Sequence, residues 1–104
     1  MYKERWSEEP EDTGKSWTFF TNHSHVLFYL HFHPNMPMRD IALHVGITER
    51  AVQRIIKDLS DEGVLTVRKV GRRNSYSVNP GVHLRHSIES HRTVGDLLAF
   101  IQRS

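Results

Sequence analysis

Apolar residues in the middle of the chain recur in two short runs with helical spacing, and a glycine separates the runs. In the first run, Ile41, Ala42 and Val45 share one face of a helix predicted over residues 38–45. Gly46 follows at a point where a tight turn needs a residue that tolerates positive φ. The pattern therefore predicts two helices joined by a short turn.

The second run predicts an amphipathic helix over about residues 48–62. Thr48 is suited to cap its N-terminus, because a threonine hydroxyl accepts a hydrogen bond from an unpaired backbone N–H of the first turn. The apolar residues at spacings of three and four are Val52, Ile55, Ile56 and Leu59. The polar residues on and beside the opposite face are Arg50, Gln53, Arg54 and Lys57. We expect one face to be buried and the other to present cations.

A basic hairpin is predicted directly after this helix. Gly63 is expected to end the helix, and the β-branched run from Val64 predicts a first strand. A turn at 71–74 then leads into a second strand that contains Tyr76 and Val78. The charged residues of 64–80 are all basic: Arg68, Lys69, Arg72 and Arg73. An exposed hairpin of this charge favours contact with a phosphate backbone or a minor groove. A hairpin that only aids solubility is the alternative.

The run IALHVGITERAVQRIIKDLSDEGVLTVRKVGRRNSYSV resembles the winged helix-turn-helix of MarR and ArsR-like transcription regulators, and the resemblance covers roughly residues 22–80. The flanking runs WTFFTNH and HRTVGDLL are similar to those of a group of compact single-domain regulators. The resemblance implies an α+β winged helix-turn-helix fold, mostly helical, with a two- or three-stranded β wing. It also implies that the helix at 48–62 lies in the major groove of double-stranded DNA and that the wing, 68–76, contacts the backbone or minor groove.

The residues expected to contact DNA are Thr48, Arg50, Gln53, Arg54, Lys57, Arg68, Lys69, Arg72, Arg73 and Asn74. Among them, Arg50, Gln53 and Arg54 are the candidates for reading bases, because arginine pairs with guanine and glutamine with adenine through two hydrogen bonds. Glu49 suits the positive end of the helix dipole and can also accept a hydrogen bond from cytosine, so its role stays open.

Charge is distributed unevenly along the chain, although its net value is only +2 over 104 residues. Residues 1–15 contain five acids against three bases, whereas the rest contains eleven bases against seven acids. We therefore expect a flexible acidic tail over 1–15 and one DNA-binding domain over 16–80. No run is long and apolar enough for a membrane span, no signal peptide is recognised, and the lack of cysteine excludes disulfides and thiolate metal sites. A cytoplasmic protein is the expectation.

A first helix is predicted over about residues 22–32, with Val26, Leu27 and Leu30 in the core. The aromatic residues just before it, Trp17, Phe19 and Phe20, are expected to supply buried area. An effector pocket lined by these aromatic side chains is the alternative.

The segment 81–104 is predicted to be a helix of about five turns. The residues that recur along it at spacings of three and four are Leu84, Ile88, His91, Val94, Leu98 and Ile101. Such a stripe either folds back on its own domain or pairs with a second copy, and we favour a homodimer. Two recognition helices held about 34 Å apart would bind a pseudo-palindromic operator.

Eight histidines raise the question of a metal or pH sensor. His83 and His86 are the candidate ligands, because imidazoles three residues apart on a helix can share zinc. No third ligand completes an evident set, so no metal and no cofactor are expected. No phosphate-binding glycine loop or nucleophile elbow points to an enzyme. The alternatives to a dimeric transcriptional regulator are a winged-helix protein-interaction module and a metal-responsive ArsR-like sensor.

Overall fold

The computed structural model describes residues 17–102. In chain order, its elements are α1 (Asn22–Phe32), α2 (Met38–Val45), α3 (Glu49–Asp61), β1 (Leu65–Val70), β2 (Arg73–Val78) and α4 (Val94–Ile101). By its internal contacts the chain divides into one unit that ends at Ile56 and one that begins at Lys57, so the boundary lies inside α3. No helix within residues 17–102 is both long and apolar enough to cross a membrane.

Helix α1 has the bounds that the sequence predicts, and it is buried on more than one side. Thr21 caps it, since the Thr21 hydroxyl accepts a hydrogen bond from the Ser24 amide at 3.2 Å. The buried side chains of α1 are Val26, Leu27, Phe28 and Leu30. Phe28 was not among the predicted core residues because it lies off the stripe formed by the other three.

The aromatic residues before α1 do not all enter the core. Phe20 is half-buried and packs edge-to-face on Phe28, with the ring centroids 5.6 Å apart. Trp17 and Phe19, however, are 65% and 89% exposed and contact each other edge-to-face at 5.0 Å. The prediction that these two residues supply buried area is therefore wrong for the described chain.

Helix α2 and the turn after it also match the sequence pattern. Ile41 and Ala42 are buried, and α2 packs against α1. Gly46 has φ +87°, and the amides of Gly46 and Ile47 both donate to the carbonyl oxygen of Ala42, at 2.8 and 3.0 Å. The left-handed glycine reverses the chain within one residue, which is what a short helix-turn-helix connection requires.

The C-terminus of α3 is closed by two hydrogen bonds around a second left-handed glycine. Gly63 has φ +78°, its amide donates to the carbonyl of Ser60, and the Val64 amide donates to the carbonyl of Leu59. Together these bonds form a Schellman motif, which satisfies carbonyls that the helix itself leaves unpaired. Val64 and Leu65 are buried immediately afterwards, so the chain enters β1 in a fixed direction.

Strands β1 and β2 form a two-stranded antiparallel hairpin, with Leu65 paired with Val78 at its base and Val70 with Arg73 at its tip. Gly71 has φ +64°, whereas Arg72 has no positive φ, which is the pattern of a type II′ turn. Asn79 fixes the base of the hairpin. Its backbone amide donates to the Val64 carbonyl at 2.9 Å, and its side-chain Nδ2 donates to the Gly63 carbonyl at 2.6 Å.

The C-terminal segment differs from the prediction. Helix α4 has eight residues, and the predicted helix of about five turns over 81–104 is wrong. Residues 81–93 form an irregular loop that is closed by a β-bridge between His83 and Thr93. Three members of the expected stripe, Leu84, Ile88 and His91, lie in this loop, so no continuous helical seam exists.

A capping box explains why α4 begins where it does. The Thr93 hydroxyl accepts from the Asp96 amide at 3.1 Å, and the Asp96 carboxylate accepts from the Thr93 amide at 3.0 Å. This reciprocal pair favours helix initiation at Val94 over continuation from the loop. Gly95 then lets α4 approach Pro80, since an added Cβ at Gly95 would lie 3.0 Å from the Pro80 Cβ.

We expect Gly63→Ala to lower the free energy of unfolding by about 1–2 kcal/mol, the cost of placing a Cβ in the left-handed region. An added Cβ at Gly63 meets nothing within 4 Å, so the effect is conformational rather than steric. Urea denaturation measures it. Gly81→Ala is the matched control, because Gly81 also has open space around it but no positive φ. Equal midpoint shifts in the two variants would contradict the assignment.

The hydrogen bonds from the Thr93 backbone and side chain hold the pKa of Asp96 below its usual range. A lowered folded-state pKa stabilises the protein above the unfolded pKa, and this stabilisation is lost as the pH falls below about 4. We expect the stability difference between wild type and Asp96→Asn to shrink over that window in urea titrations. Glu89→Gln, which removes a carboxylate from the loop before α4, is the control. An unchanged difference between pH 7 and pH 3 would disprove the role of the capping carboxylate.

Candidate nucleic-acid interface

Helix α3 separates a buried apolar face from an exposed polar face. Its buried residues are Val52, Ile55 and Ile56. The side chains exposed to solvent include Arg50, Gln53, Arg54 and Lys57. Burial of the apolar face fixes the rotation of α3 about its axis, so these four polar side chains are held on the outside of the protein.

Thr48 acts as the N-terminal cap of α3. Its hydroxyl accepts from the Ala51 amide at 3.0 Å, and its carbonyl accepts from the Val52 amide at 3.1 Å. The predicted capping role is confirmed by this geometry. The hydroxyl hydrogen of Thr48 is still available to donate to an acceptor outside the helix, because capping uses only an oxygen lone pair.

The exposed cations of α3 are not equivalent. Lys57 Nζ lies 2.8 Å from Asp61 Oδ2, one turn further along the helix. This hydrogen bond, together with the charge of Asp61, raises the pKa of Lys57. Within residues 17–102, Arg50 and Arg54 form no ion pair. The two arginines are therefore the cations of this face that are ready to bind an anion without first losing a partner.

The hairpin presents the second basic surface. All four of its cations are exposed: Arg68, Lys69, Arg72 and Arg73. Asn74, the remaining predicted contact, is exposed too, and its Nδ2 lies 3.5 Å from the hydroxyl of Tyr76 on the same strand. Because residues 64–80 contain no acid, no carboxylate of the hairpin itself competes for these cations.

The two candidate metal ligands are both engaged in the loop before α4. His83 Nδ1 lies 2.9 Å from the Ser90 carbonyl oxygen, and His86 Nδ1 accepts from the Ile88 amide at 3.1 Å. Within the described range of 17–102, no group of three His, Cys, Asp or Glu side chains is placed to hold a metal ion. These histidines organise the loop through hydrogen bonds.

The predicted dimerisation residues are divided between interior and surface. Val94 and Leu98 are buried within the protomer, at 3% and 5% exposure, and so are not free to pack on a second copy. Ile88, by contrast, is 77% exposed, and Phe100, which is not a member of the predicted stripe, is 79% exposed. Beside α4 lies an open groove of about 420 Å³, which is lined by Leu84, Arg92, Asp96, Leu97 and Phe100. Leu97 and Phe100 were not predicted, because they lie off the stripe expected for a continuous helix.

A comparison with family models matches residues 21–73 to the MarR family, which is half of the chain. The match runs from the cap of α1 to the start of β2 and so contains the helix-turn-helix and the wing turn. The chain belongs to the MarR family. No curated protein and no solved structure gives a significant match. The predicted resemblance to MarR regulators and the predicted winged-helix fold are confirmed, and MarR-family membership implies a transcriptional regulator that binds double-stranded DNA.

In this MarR-family protein, we expect Asp61→Asn to strengthen binding to duplex DNA. The substitution removes a negative charge from the exposed face of α3 and frees Lys57 to contact a phosphate. The slope of log affinity against log salt concentration is expected to steepen by about 0.9 for each bound protomer, the value for one additional phosphate contact. Fluorescence anisotropy over a salt series measures both quantities.

Glu89→Gln is the control for this experiment, since it removes one negative charge from the loop before α4 and leaves the ion pair of Lys57 and Asp61 intact. If Glu89→Gln and Asp61→Asn change the slope equally, only the net charge of the protein matters and the ion pair has no specific effect on binding.

Proposed function

We propose that this MarR-family protein is a sequence-specific DNA-binding repressor that acts as a homodimer. Helix α3 lies in the major groove and the wing contacts the backbone or minor groove. The observation that supports this most is the exposed pair of arginines, Arg50 and Arg54, on a helix whose other face buries Val52, Ile55 and Ile56. Bound over a promoter, such a protein excludes the transcription machinery.

Base reading is assigned to Arg50, Gln53 and Arg54. The two guanidinium groups have the geometry to donate two parallel hydrogen bonds to guanine O6 and N7, and the carboxamide of Gln53 pairs in the same way with adenine. Contacts from Thr48 and Lys57 to phosphates would fix the position of the helix without reading sequence. Lys57 contributes less than the arginines because Asp61 already neutralises it.

The groove beside α4 supports the homodimer. A two-fold interface requires a surface that is complementary to itself. The groove is our candidate for this surface, because it combines the apolar side chains of Leu97 and Phe100 with one cation, Arg92, and one anion, Asp96. In a symmetric pair, Arg92 of each protomer would face the partner's Asp96. Leu84 and Ile88 of the predicted stripe remain in the proposed interface, whereas Val94 and Leu98 serve the protomer's own core.

Selection of bound duplexes from a random library at about 150 mM salt tests the function, because specific sites survive salt that removes non-specific binding. We expect an inverted repeat with half-site centres about 10 base pairs apart, which would support both the regulator and the dimer. If the folded protein enriches no sequence, the result would contradict sequence-specific binding and favour a protein-interaction module.

The same selection distinguishes base reading from backbone contact. Arg54→Ala is expected to cost about 1–3 kcal/mol at one base position and to relax the selected sequence there. Arg72→Ala is expected to weaken binding to selected and random duplexes alike, because the wing is assigned to the backbone. Titrations with one selected and one scrambled duplex measure the difference. Equal losses on both duplexes with Arg54→Ala would remove its base-reading assignment.

A further inference from the structure

The two faces of the wing hairpin differ in exposure, and strand register decides which residues lie on each. Paired residues of an antiparallel ladder point to the same side, and successive residues alternate between sides. One face contains the pairs Leu65 with Val78 and Val67 with Tyr76. Leu65 is buried and Tyr76 and Val78 are half-buried, so this face is partly covered by the protein. Near the tip it ends in the exposed pair of Lys69 with Asn74.

The opposite face of the hairpin is exposed along its whole length. Its members, in three cross-strand pairs, are Thr66 with Ser77, Arg68 with Ser75, and Val70 with Arg73. We call this set the outer wing face. It contains two guanidinium groups and three hydroxyls, with one apolar side chain at the tip. Every polar side chain in it can donate a hydrogen bond, and none is an acid, which is the chemistry that binds phosphate oxygens.

The geometry of the outer wing face suits an extended row of phosphates. Arg68 and Arg73 are diagonal neighbours, because Arg68 is paired with Ser75 and Arg73 lies two residues before Ser75. Diagonal neighbours on one face lie about 7–8 Å apart, so the two guanidinium groups can contact different phosphates.

Asn79 orients one of the hydroxyls in this row. Its Nδ2 donates to Thr66 Oγ1 at 3.4 Å, which occupies a lone pair and leaves the Thr66 hydroxyl hydrogen to be donated outward.

We propose that, of the two faces of the hairpin strands, the outer wing face binds the phosphate backbone of duplex DNA, alongside Arg72 of the turn. Arg68 and Arg73 neutralise phosphates, and the hydroxyls of Ser75 and Ser77 donate to phosphate oxygens beside them. Lys69 and Asn74, which lie on the other face, make no backbone contact. The proposal rests on the proposed function, since it takes duplex DNA as the partner, and it is supported by the complementary charge of an acid-free surface.

The test compares single-charge removals on the two faces. Affinity for a mixed-sequence duplex of about 30 base pairs, long enough for two half-sites one helical turn apart, is measured by anisotropy over a salt series. Arg68→Ala and Arg73→Ala are each expected to reduce the magnitude of the salt slope by about 0.9 for each bound protomer and to weaken binding about 5–10-fold at low salt. Lys69→Ala removes the same charge from the same hairpin and is expected to leave the slope unchanged. Arg68→Gln and Arg73→Gln replace any alanine variant that fails to fold.

The hydroxyls have a separate readout. The double variant Ser75→Ala, Ser77→Ala is expected to weaken binding about 3-fold with no change in slope, because a neutral donor releases no counterion. Equal slopes for Lys69→Ala and Arg68→Ala would overturn the proposal while leaving DNA binding established. Failure of the wild-type chain to bind any duplex would overturn the proposed function as well, and binding to polyglutamate with the same variant pattern would assign the face to an acidic protein instead.

Discussion

The junction between α3 and β1 is the constraint on which the functional half of the molecule depends. Gly63 adopts a backbone conformation that residues with a Cβ avoid, and this allows the amides of Gly63 and Val64 to satisfy the end of the helix. Asn79 closes the same junction from the far side of the hairpin by donating to the carbonyls of Gly63 and Val64. The wing is thus held at both of its ends to one short stretch of backbone at the end of the helix.

Burial of its apolar face fixes the orientation of α3, as the junction fixes the base of the wing. Because the apolar face of the helix is buried, Arg50 and Arg54 remain in solvent, with no ion-pair partner among residues 17–102. Asp61 moderates the basic face at its far end by pairing with Lys57. The two arginines of α3 that form no ion pair among residues 17–102 therefore lie in its first two turns, the part of a recognition helix that reaches base edges.

The sequence predicted the three N-terminal helices well because their ends carry explicit signals. Thr21, Gly46, Thr48 and Gly63 each cap or terminate a helix by a mechanism that does not depend on distant residues. The C-terminal segment was mispredicted because apolar residues at spacings of three and four also occurred by chance in a loop. The capping box of Thr93 and Asp96, which the sequence contains as T-V-G-D, was the signal that marked the true start of α4.

Two other features could not be predicted from the sequence, for physical reasons. The sidedness of the wing depends on strand register, and a shift of one residue would exchange its two faces. The exposure of Trp17 and Phe19 depends on tertiary contacts, because hydrophobicity alone does not decide which aromatic residues a small protein can bury.

The contact between Gly95 and Pro80 joins α4 to the base of the wing. The Gly95 amide donates to the Pro80 carbonyl at 2.9 Å, and the missing side chain at Gly95 lets the two backbones touch. Pro80 directly follows Asn79, whose side chain holds the base of the wing. A helix of eight residues is shorter than the roughly 12–15 residues that an isolated helix needs, so α4 depends on its capping box and on what packs against it. A displacement of the N-terminus of α4 would therefore reach the base of the hairpin through two consecutive residues, Pro80 and Asn79.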